Sequence, residues 1–316
     1  MKIVITDGKT LSSCDLKWDS ISDFGEVIYY DTTALNERIE HIGDADILIV
    51  NKTVIDETVL NSCHNLKMIA ESATGYNNID VEACKRHGVV VCNVPNYSSE
   101  AVIQHSYALL LEICNHVAHH SKTVYEKEWG IRGTFCYWDY PIIELSDLTM
   151  GIIGYGAIGK RSAQVAKALG MRVIVYNKER NIDEVDIESC SFDDVIRNSD
   201  VISLHCSLNN DNFHMINDKT LNMMKRSAIL INTSRGGLVD DEALAKALNN
   251  DTIFAAGLDV VGLEPMVDDN PLLKAKNCFI TPHIAWASLK ARMRLYDRTY
   301  DNIKGFLLGK PINVIV

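Results

Sequence analysis

The sequence predicts an α/β protein built from two doubly wound parallel sheets. Short apolar runs alternate with helix-patterned stretches along the chain, as in a largely parallel sheet. Five such runs precede residue 95, enough for a domain with its own core. A second series starts near residue 148 and opens on a glycine-rich turn, and 316 residues suit about two domains.

The first series comprises residues 2–6 (KIVIT), 26–30 (EVIYY), 45–50 (ADILIV), 66–70 (LKMIA) and 89–92 (VVVC), with a helix expected over 33–41. The N-terminal stretch reads as the first strand; it lacks the long apolar core of a signal peptide. Asn51-Lys52 and Ala73-Thr74-Gly75 follow the third and fourth runs, at the strand ends where ligands collect in such sheets. Pro95 to Glu100 is a break, after which Ser98 or Ser99 caps a mostly apolar helix over 101–116. Such a helix is buried within its domain or against a second subunit. Residues 119–145 carry Trp129, Phe135, Tyr137, Trp138 and Tyr140 without a clear period, which suits a subunit interface or a hinge cover.

Residues 148–172 read as strand, tight turn and helix. Gly154-Tyr155-Gly156-Ala157-Ile158-Gly159 is a G-x-G-x-x-G set between an apolar run and an Ala-rich helical stretch over 162–169, closed by Gly170. Gly154 permits the turn, Gly156 admits a pyrophosphate to the backbone, and Gly159 lets the helix approach the strand. The helix N-terminus offers N–H groups and a positive dipole end to phosphate. Further strands are expected at 173–176, 201–205, 229–232, 254–259 and 278–281, and helices at 241–248 and 288–308. The first series lacks a glycine fingerprint, and the last helix lies too far along to serve the final strand alone. The expected layout is therefore discontinuous. A Rossmann-type dinucleotide domain (99–286) is inserted in a flavodoxin-like substrate domain (1–98 and 287–316).

Net charge is −11, which argues against nucleic acid as a partner because phosphate backbones need a clustered basic surface. No apolar run approaches the roughly 18 residues of a membrane span. Nine cysteines lack C-x-x-C or zinc-finger spacing. They read as reduced thiols in a cytoplasmic protein, and no metal site is expected.

Three later segments each place polar residues just past an apolar strand: Thr233-Ser234-Arg235-Gly236-Gly237, the stretch from Leu258-Asp259 to Glu264-Pro265, and Thr281-Pro282-His283-Ile284-Ala285-Trp286. Hydride transfer to a carbonyl needs an acid/base near neutral pH, a carboxylate to orient it, and a cation to fork a substrate carboxylate. His283, Glu264 and Arg235 fit those roles.

With these motifs in order, the chain resembles the D-isomer-specific 2-hydroxyacid dehydrogenase family along essentially its whole length. The shared signatures are GYGAIG, NTSRGGLVD, GLDV…EP and TPHIAWAS. ATGYNNID, VPNYSSEAVIQH and FCYWDYPIIEL place it nearest the glycerate dehydrogenase, or hydroxypyruvate reductase, branch. The resemblance implies reversible, NAD(P)-dependent reduction of a 2-keto acid, hydroxypyruvate or glyoxylate foremost, to the D-2-hydroxy acid. A D-lactate-type enzyme is one alternative and a nucleotide-sensing corepressor-like protein another. It implies that Arg235, Glu264 and His283 are catalytic and that Lys52, Thr74 and Gly75 join Arg235 and His283 at the substrate. It implies a cofactor site of Gly154, Tyr155, Gly156, Ala157, Ile158, Gly159, Asn177, Lys178, His205, Cys206, Thr233, Asp259 and Ala285. It also implies a homodimer formed through helix 101–116 and segment 119–145.

The chain departs from the family pattern in three places, at four positions. Asn177 stands where an acidic residue would bond the ribose hydroxyls and repel a 2′-phosphate, with Lys178, Glu179 and Arg180 following. NAD(H) is the favoured cofactor, with NADP(H) as the alternative. Ser207 and Asn209 replace the usual proline and threonine, a change expected to loosen the adenosine-side loop. Ala157 replaces a common arginine.

Overall fold

The computed structural model describes residues 1–12, 18–178, 182, 184 and 186–316. Cys14, Glu179 and Arg180 lie outside the described residues. The chain divides into two compact units, Met1–Ser98 with Ala287–Val316, and Ser99–Trp286.

The first unit holds β1 (Lys2–Ile5), β2 (Glu26–Tyr29), β3 (Ile47–Val50), β4 (Met68–Glu71) and β5 (Val90–Cys92). They pair in parallel in the order β2-β1-β3-β4-β5, the flavodoxin-like order. Val4, Leu48, Val50, Ile69 and Val91 form its core with Val59 and Leu60 of the helix Glu57–Ser62. β3 and β4 are buried throughout, which explains why they read as continuous apolar runs.

Residues 287–316 belong to this unit through specific anchors. In the helix Leu289–Leu307, capped by the Ser288 hydroxyl, Thr299 Oγ1 lies 3.2 Å from Ser72 Oγ. Asn302 Nδ2 donates to the Asn93 carbonyl at 2.9 Å, and Arg294 Nε to the Tyr97 carbonyl at 2.7 Å. The chain end then covers the edge of β5: Val91 N donates to Val316 O (2.8 Å) and Ile315 N to Val91 O (2.7 Å). Pairing that edge removes an open template for aggregation.

The second unit holds β6 (Thr149–Ile153), β7 (Arg172–Tyr176), β8 (Glu188–Ser189), β9 (Val201–Leu204), β10 (Ile229–Asn232), β11 (Ala255–Leu258) and β12 (Cys278–Ile280). The order is β8-β7-β6-β9-β10-β11-β12, parallel throughout, with the chain reversing direction across the sheet between β6 and β9. Ligands bind beyond such a switch point in doubly wound sheets. Helix Ser99–Asn115 lies close against β11, where a Cβ on Gly257 would stand 3.0 Å from that of Leu109.

Three helix expectations need correction. Residues 33–37 are not helical; the helix is Arg38–Ile42. Thr33 Oγ1 donates to the Thr6 carbonyl and the Ala34 N–H donates to Glu37 Oε2 at 2.9 Å, local bonds that compete with a helix. The helix after the glycine turn is Ala157–Ala168, starting inside the fingerprint. Residues 119–145 are not wholly irregular: Val117–Tyr125 and Glu128–Arg132 are helices. Their period was hidden because Val117, Val124, Tyr125, Trp129 and Ile131 are exposed in this chain rather than aligned on its core.

One buried group is out of character with its strand. Glu71 ends β4 with no exposed surface. Its Oε2 accepts from Asn78 Nδ2 at 3.0 Å, while Oε1 has no partner among the described residues. Burial pushes this carboxyl well above its ordinary value; the nearby Asp7 charge adds to the rise, while Asn78 and Lys52 oppose it. The fold therefore favours the neutral acid of Glu71 relative to the unfolded chain. An unfolded chain ionises it near pH 4.3, so unfolding above that pH releases a proton and stability falls as pH rises toward the folded-state value. Glu71→Gln removes this loss. Denaturant midpoints at pH 4 and pH 8 should show the variant gaining on the parent with pH, and a constant gap would contradict the upward shift at Glu71.

Candidate active site

The turn after β6 is shaped by its glycines. Gly154 has φ +95°, and a Cβ there would lie 2.6 Å from Cys206 N. A Cβ on Gly159 would lie 2.1 Å from the Gly154 carbonyl oxygen, so only glycine lets the helix seat on the turn. Gly156 faces open space and precedes Ala157–Ala168 with no side chain capping that helix. Its first N–H groups, through Ala157 and Ile158, are left for an anion. Tyr155 is buried; its N–H donates to Asn177 Oδ1 at 3.1 Å and its hydroxyl to Glu184 at 3.1 Å. This open, uncapped cradle at a switch point fits a dinucleotide pyrophosphate.

The neighbouring strand ends are tied to the turn. After β9, His205 N donates to Ile153 O at 2.7 Å. Desolvation pushes the His205 imidazole down to about 4, so it is neutral at pH 7, with Nε2 2.9 Å from Ser203 Oγ. The Cys206 carbonyl accepts from Ser234 Oγ at 2.6 Å, linking the ends of β9 and β10. Burial pushes the Cys206 thiol up to about 11, away from a nucleophilic thiolate.

After β10, Asn232 folds the Ser234-Arg235 corner: its Oδ1 accepts from Ser234 N (3.0 Å) and its Nδ2 donates to the Arg235 carbonyl (2.9 Å). A Cβ on Gly236 would meet the Val261 carbonyl oxygen at 1.7 Å. That contact brings the arginine loop against the segment leading to Glu264. Arg235 is half-buried and, among the described residues, has no carboxylate within ion-pair distance; its Nη1 donates to the Ser234 carbonyl at 2.8 Å.

After β11 and β12 the expected pair is assembled. His283 Nδ1 lies 2.6 Å from Glu264 Oε2, and Glu264 Oε1 accepts from Val261 N at 3.1 Å. His283 adopts φ +55°, an unusual conformation outside glycine. It is held by its own N–H to Asp259 O (2.9 Å) and by Trp286 Nε1 donating to its carbonyl (3.0 Å). Asp259 is 1 % exposed, and its carboxylate accepts from Thr281 Oγ1 (2.6 Å), Ile284 N (2.9 Å) and Ala285 N (2.7 Å). Its oxygens are spent on fixing the histidine turn.

The sequence reading gave no role to two residues of helix Ser99–Asn115. His105 Nε2 lies 2.8 Å from Thr281 Oγ1 and 3.4 Å from Asp259, and Ser106 Oγ lies 2.8 Å from Thr233 Oγ1. Two adjacent polar side chains in a mostly apolar stretch are the one signal that could have found them. In the first unit, Asp7 was also missed. It is buried, and its carboxylate accepts from the N–H groups of Asn51 (3.0 Å), Lys52 and Thr53 (2.8 Å), freezing the loop that carries Lys52. Thr74 Oγ1 donates to the Val94 carbonyl at 2.9 Å, and Asn93 Nδ2 to the Thr74 carbonyl at 2.7 Å, setting the approach to Gly75.

Residues 107–285 match the family model for the NAD binding domain of D-isomer specific 2-hydroxyacid dehydrogenases. The chain is 45% identical over 321 residues to the hydroxypyruvate reductase of Blautia hydrogenotrophica, covering 100% of this chain and 99% of that one. It is 39% identical to the glycerate dehydrogenase of Methylorubrum extorquens, covering 99% and 98%. A solved acyclic imino acid reductase in complex with NADPH and D-Arg superposes with a TM-score of 0.85 at 32% identity, covering both chains fully. By fold, by the match across the nucleotide unit and by its full-length relatives, the chain belongs to the D-isomer-specific 2-hydroxyacid dehydrogenase family.

Proposed function

We propose that the chain reduces hydroxypyruvate to the D-2-hydroxy acid, with glyoxylate as second substrate and NAD(H) as the favoured cofactor. The observation that carries this reading is the 2.6 Å His283–Glu264 pair, set in one row of strand ends with Arg235 and the glycine cradle. The names of the full-length relatives support the choice of substrate and do not favour a D-lactate-type enzyme or a corepressor-like role.

In this reading the nicotinamide, when bound, supplies the hydride. Arg235 forks the substrate carboxylate and polarises the carbonyl. His283 Nε2 gives its proton to the carbonyl oxygen, while Glu264 holds the Nδ1 proton and stabilises the charged ring. The family resemblance assigns Lys52, Thr74 and Gly75 a substrate-binding role as well. Thr233, Asp259 and Ala285 shape the nicotinamide end; Asn177, Lys178, His205 and Cys206 shape the adenosine side. The eight described cysteines are all free thiols, which supports a cytoplasmic setting.

His283→Ala should lower kcat by about 10²–10⁴, the range for losing a general acid. Arg235→Ala should lower kcat/KM by about 10- to 100-fold, the worth of a charged hydrogen bond. Glu264→Gln removes the carboxylate that orients His283, so kcat should fall by about 10- to 100-fold with KM little changed. Initial rates with hydroxypyruvate and NADH check all three, and unchanged turnover in His283→Ala would sink the assignment.

The homodimer is proposed on the apolar surface of segment 119–145. Phe135 is 95 % exposed, Tyr125 86 % and Ile131 74 %, an unusual concentration for a lone chain. Light scattering should give twice the 35.3 kDa chain mass, and Phe135→Asp with Ile131→Asp should give the monomer. A monomeric parent would remove this assignment.

A further inference from the structure

The adenosine end of the cofactor site carries a charge arrangement that the chain's departures from the family pattern left unexplained. The residue after β7 is the position that meets the ribose in this topology. Asn177 supplies no charge there, and its Oδ1 is bonded to the Tyr155 N–H at 3.1 Å. Lys178 comes next and would by itself welcome a 2′-phosphate. However, its Nζ lies 2.7 Å from Asp211 Oδ2.

Asp211 is 33 residues further along, in the turn after β9, and that turn is built to hold it. Asn209 N donates to Asn212 Oδ1 at 2.7 Å, Asp211 N to Asn209 Oδ1 at 2.9 Å, and Asn212 Nδ2 to the Ser207 carbonyl at 2.7 Å. At the two positions that depart from the family pattern, the Ser207 carbonyl accepts from Asn212 and Asn209 Oδ1 caps the N–H of Asp211 itself. A second cation follows the same rule: Lys160 Nζ lies 2.5 Å from Glu184, which also accepts from Tyr155. Each lysine is matched by a carboxylate.

We propose that Asp211 determines cofactor specificity, supplying from the β9 turn the negative charge that Asn177 lacks and holding Lys178 away from a 2′-phosphate. An incoming phosphate dianion must break the Lys178–Asp211 pair and then face the carboxylate left behind. The unphosphorylated ribose does neither. The inference rests on the proposed preference for NAD(H) and names the residue that sets it.

The test is direct binding of NADH and NADPH to the full-length protein, read by nucleotide fluorescence, for the parent, Asp211→Asn and Asp211→Asn with Lys178→Ala. The parent should bind NADH more tightly. Asp211→Asn should lower the NADH-over-NADPH affinity ratio about fivefold, the scale of an exposed charge interaction. Adding Lys178→Ala should reverse most of that change, because the freed lysine is what captures the phosphate. The parent ratio should also fall as salt rises, since both side chains are exposed. A ratio unmoved by Asp211→Asn, with both nucleotides bound, overturns this proposal alone. A parent that prefers NADPH overturns the proposed cofactor preference, and binding of neither overturns the dinucleotide site itself.

Discussion

The candidate site depends on a buried carboxylate at the end of β11. Asp259 is surrounded by protein, and an ionised group there is tolerable only if hydrogen bonds replace its water. Those bonds come from Thr281, Ile284 and Ala285, which bracket His283 on both sides. The same interactions hold His283 at a positive φ that an isolated chain would leave. The histidine meets Glu264 because its backbone has no other place to go. The first unit uses the same device: Asp7, after β1, binds three successive N–H groups after β3 and so fixes the backbone of Lys52. In both units a strand-end aspartate converts a loop into a rigid mount, and neither carboxylate need touch a ligand to do so.

Glycine supplies the complementary constraint, close approach. Gly154, Gly159 and Gly236 each stand where a Cβ would overlap backbone of a neighbouring loop or turn. Carboxylates pin the loops and glycines bring them together, so the ends of β6, β9, β10, β11 and β12 form one contiguous row. The polar side chains in that row are positioned by backbone contacts more than by one another. Side-chain pairs add to these contacts: His283–Glu264 and Thr281–Asp259 at 2.6 Å, and His105–Thr281 and Ser106–Thr233 at 2.8 Å.

Much of this was legible in the sequence because it is local. Buried parallel strands read as unbroken apolar runs, and a glycine turn between strand and helix needs only six residues to declare itself. The signatures around Arg235, Glu264 and His283 sit immediately after strands, so their placement followed from the topology. What escaped was long-range or hidden by its surroundings. Glu71 falls just past the apolar run at 66–70, and nothing local says that the fold removes its water. Asp7 follows KIVIT without a signal of its own, since its partners lie more than forty residues away. His105 and Ser106 were lost in an apolar helix, because nothing in a helical period says that Thr281 and Thr233 lie beneath it. The helices within 117–132 were missed because their apolar residues point outward.

The distribution of charge gives the site its polarity. The chain carries a net charge of −11, yet the ligands proposed for it are anions, so the few cations at the strand ends must be used selectively. Lys178 and Lys160, toward the adenosine end, are each cancelled by a carboxylate. Arg235 is different: it meets a backbone carbonyl and no described carboxylate, so its charge stays available to a carboxylate substrate. Pairing one cation and leaving the other costs little fold stability, because exposed pairs contribute at most about 1 kcal/mol. It changes which anion the surface accepts: a substrate carboxylate at Arg235 finds a cation, and a phosphate at Lys178 finds a cation already taken. Under this reading the asparagine-rich turn at 209–212 and the arginine corner at 235 are two halves of one electrostatic arrangement. It is carried by adjacent strand ends of the same sheet, and a short fingerprint motif could not have revealed it.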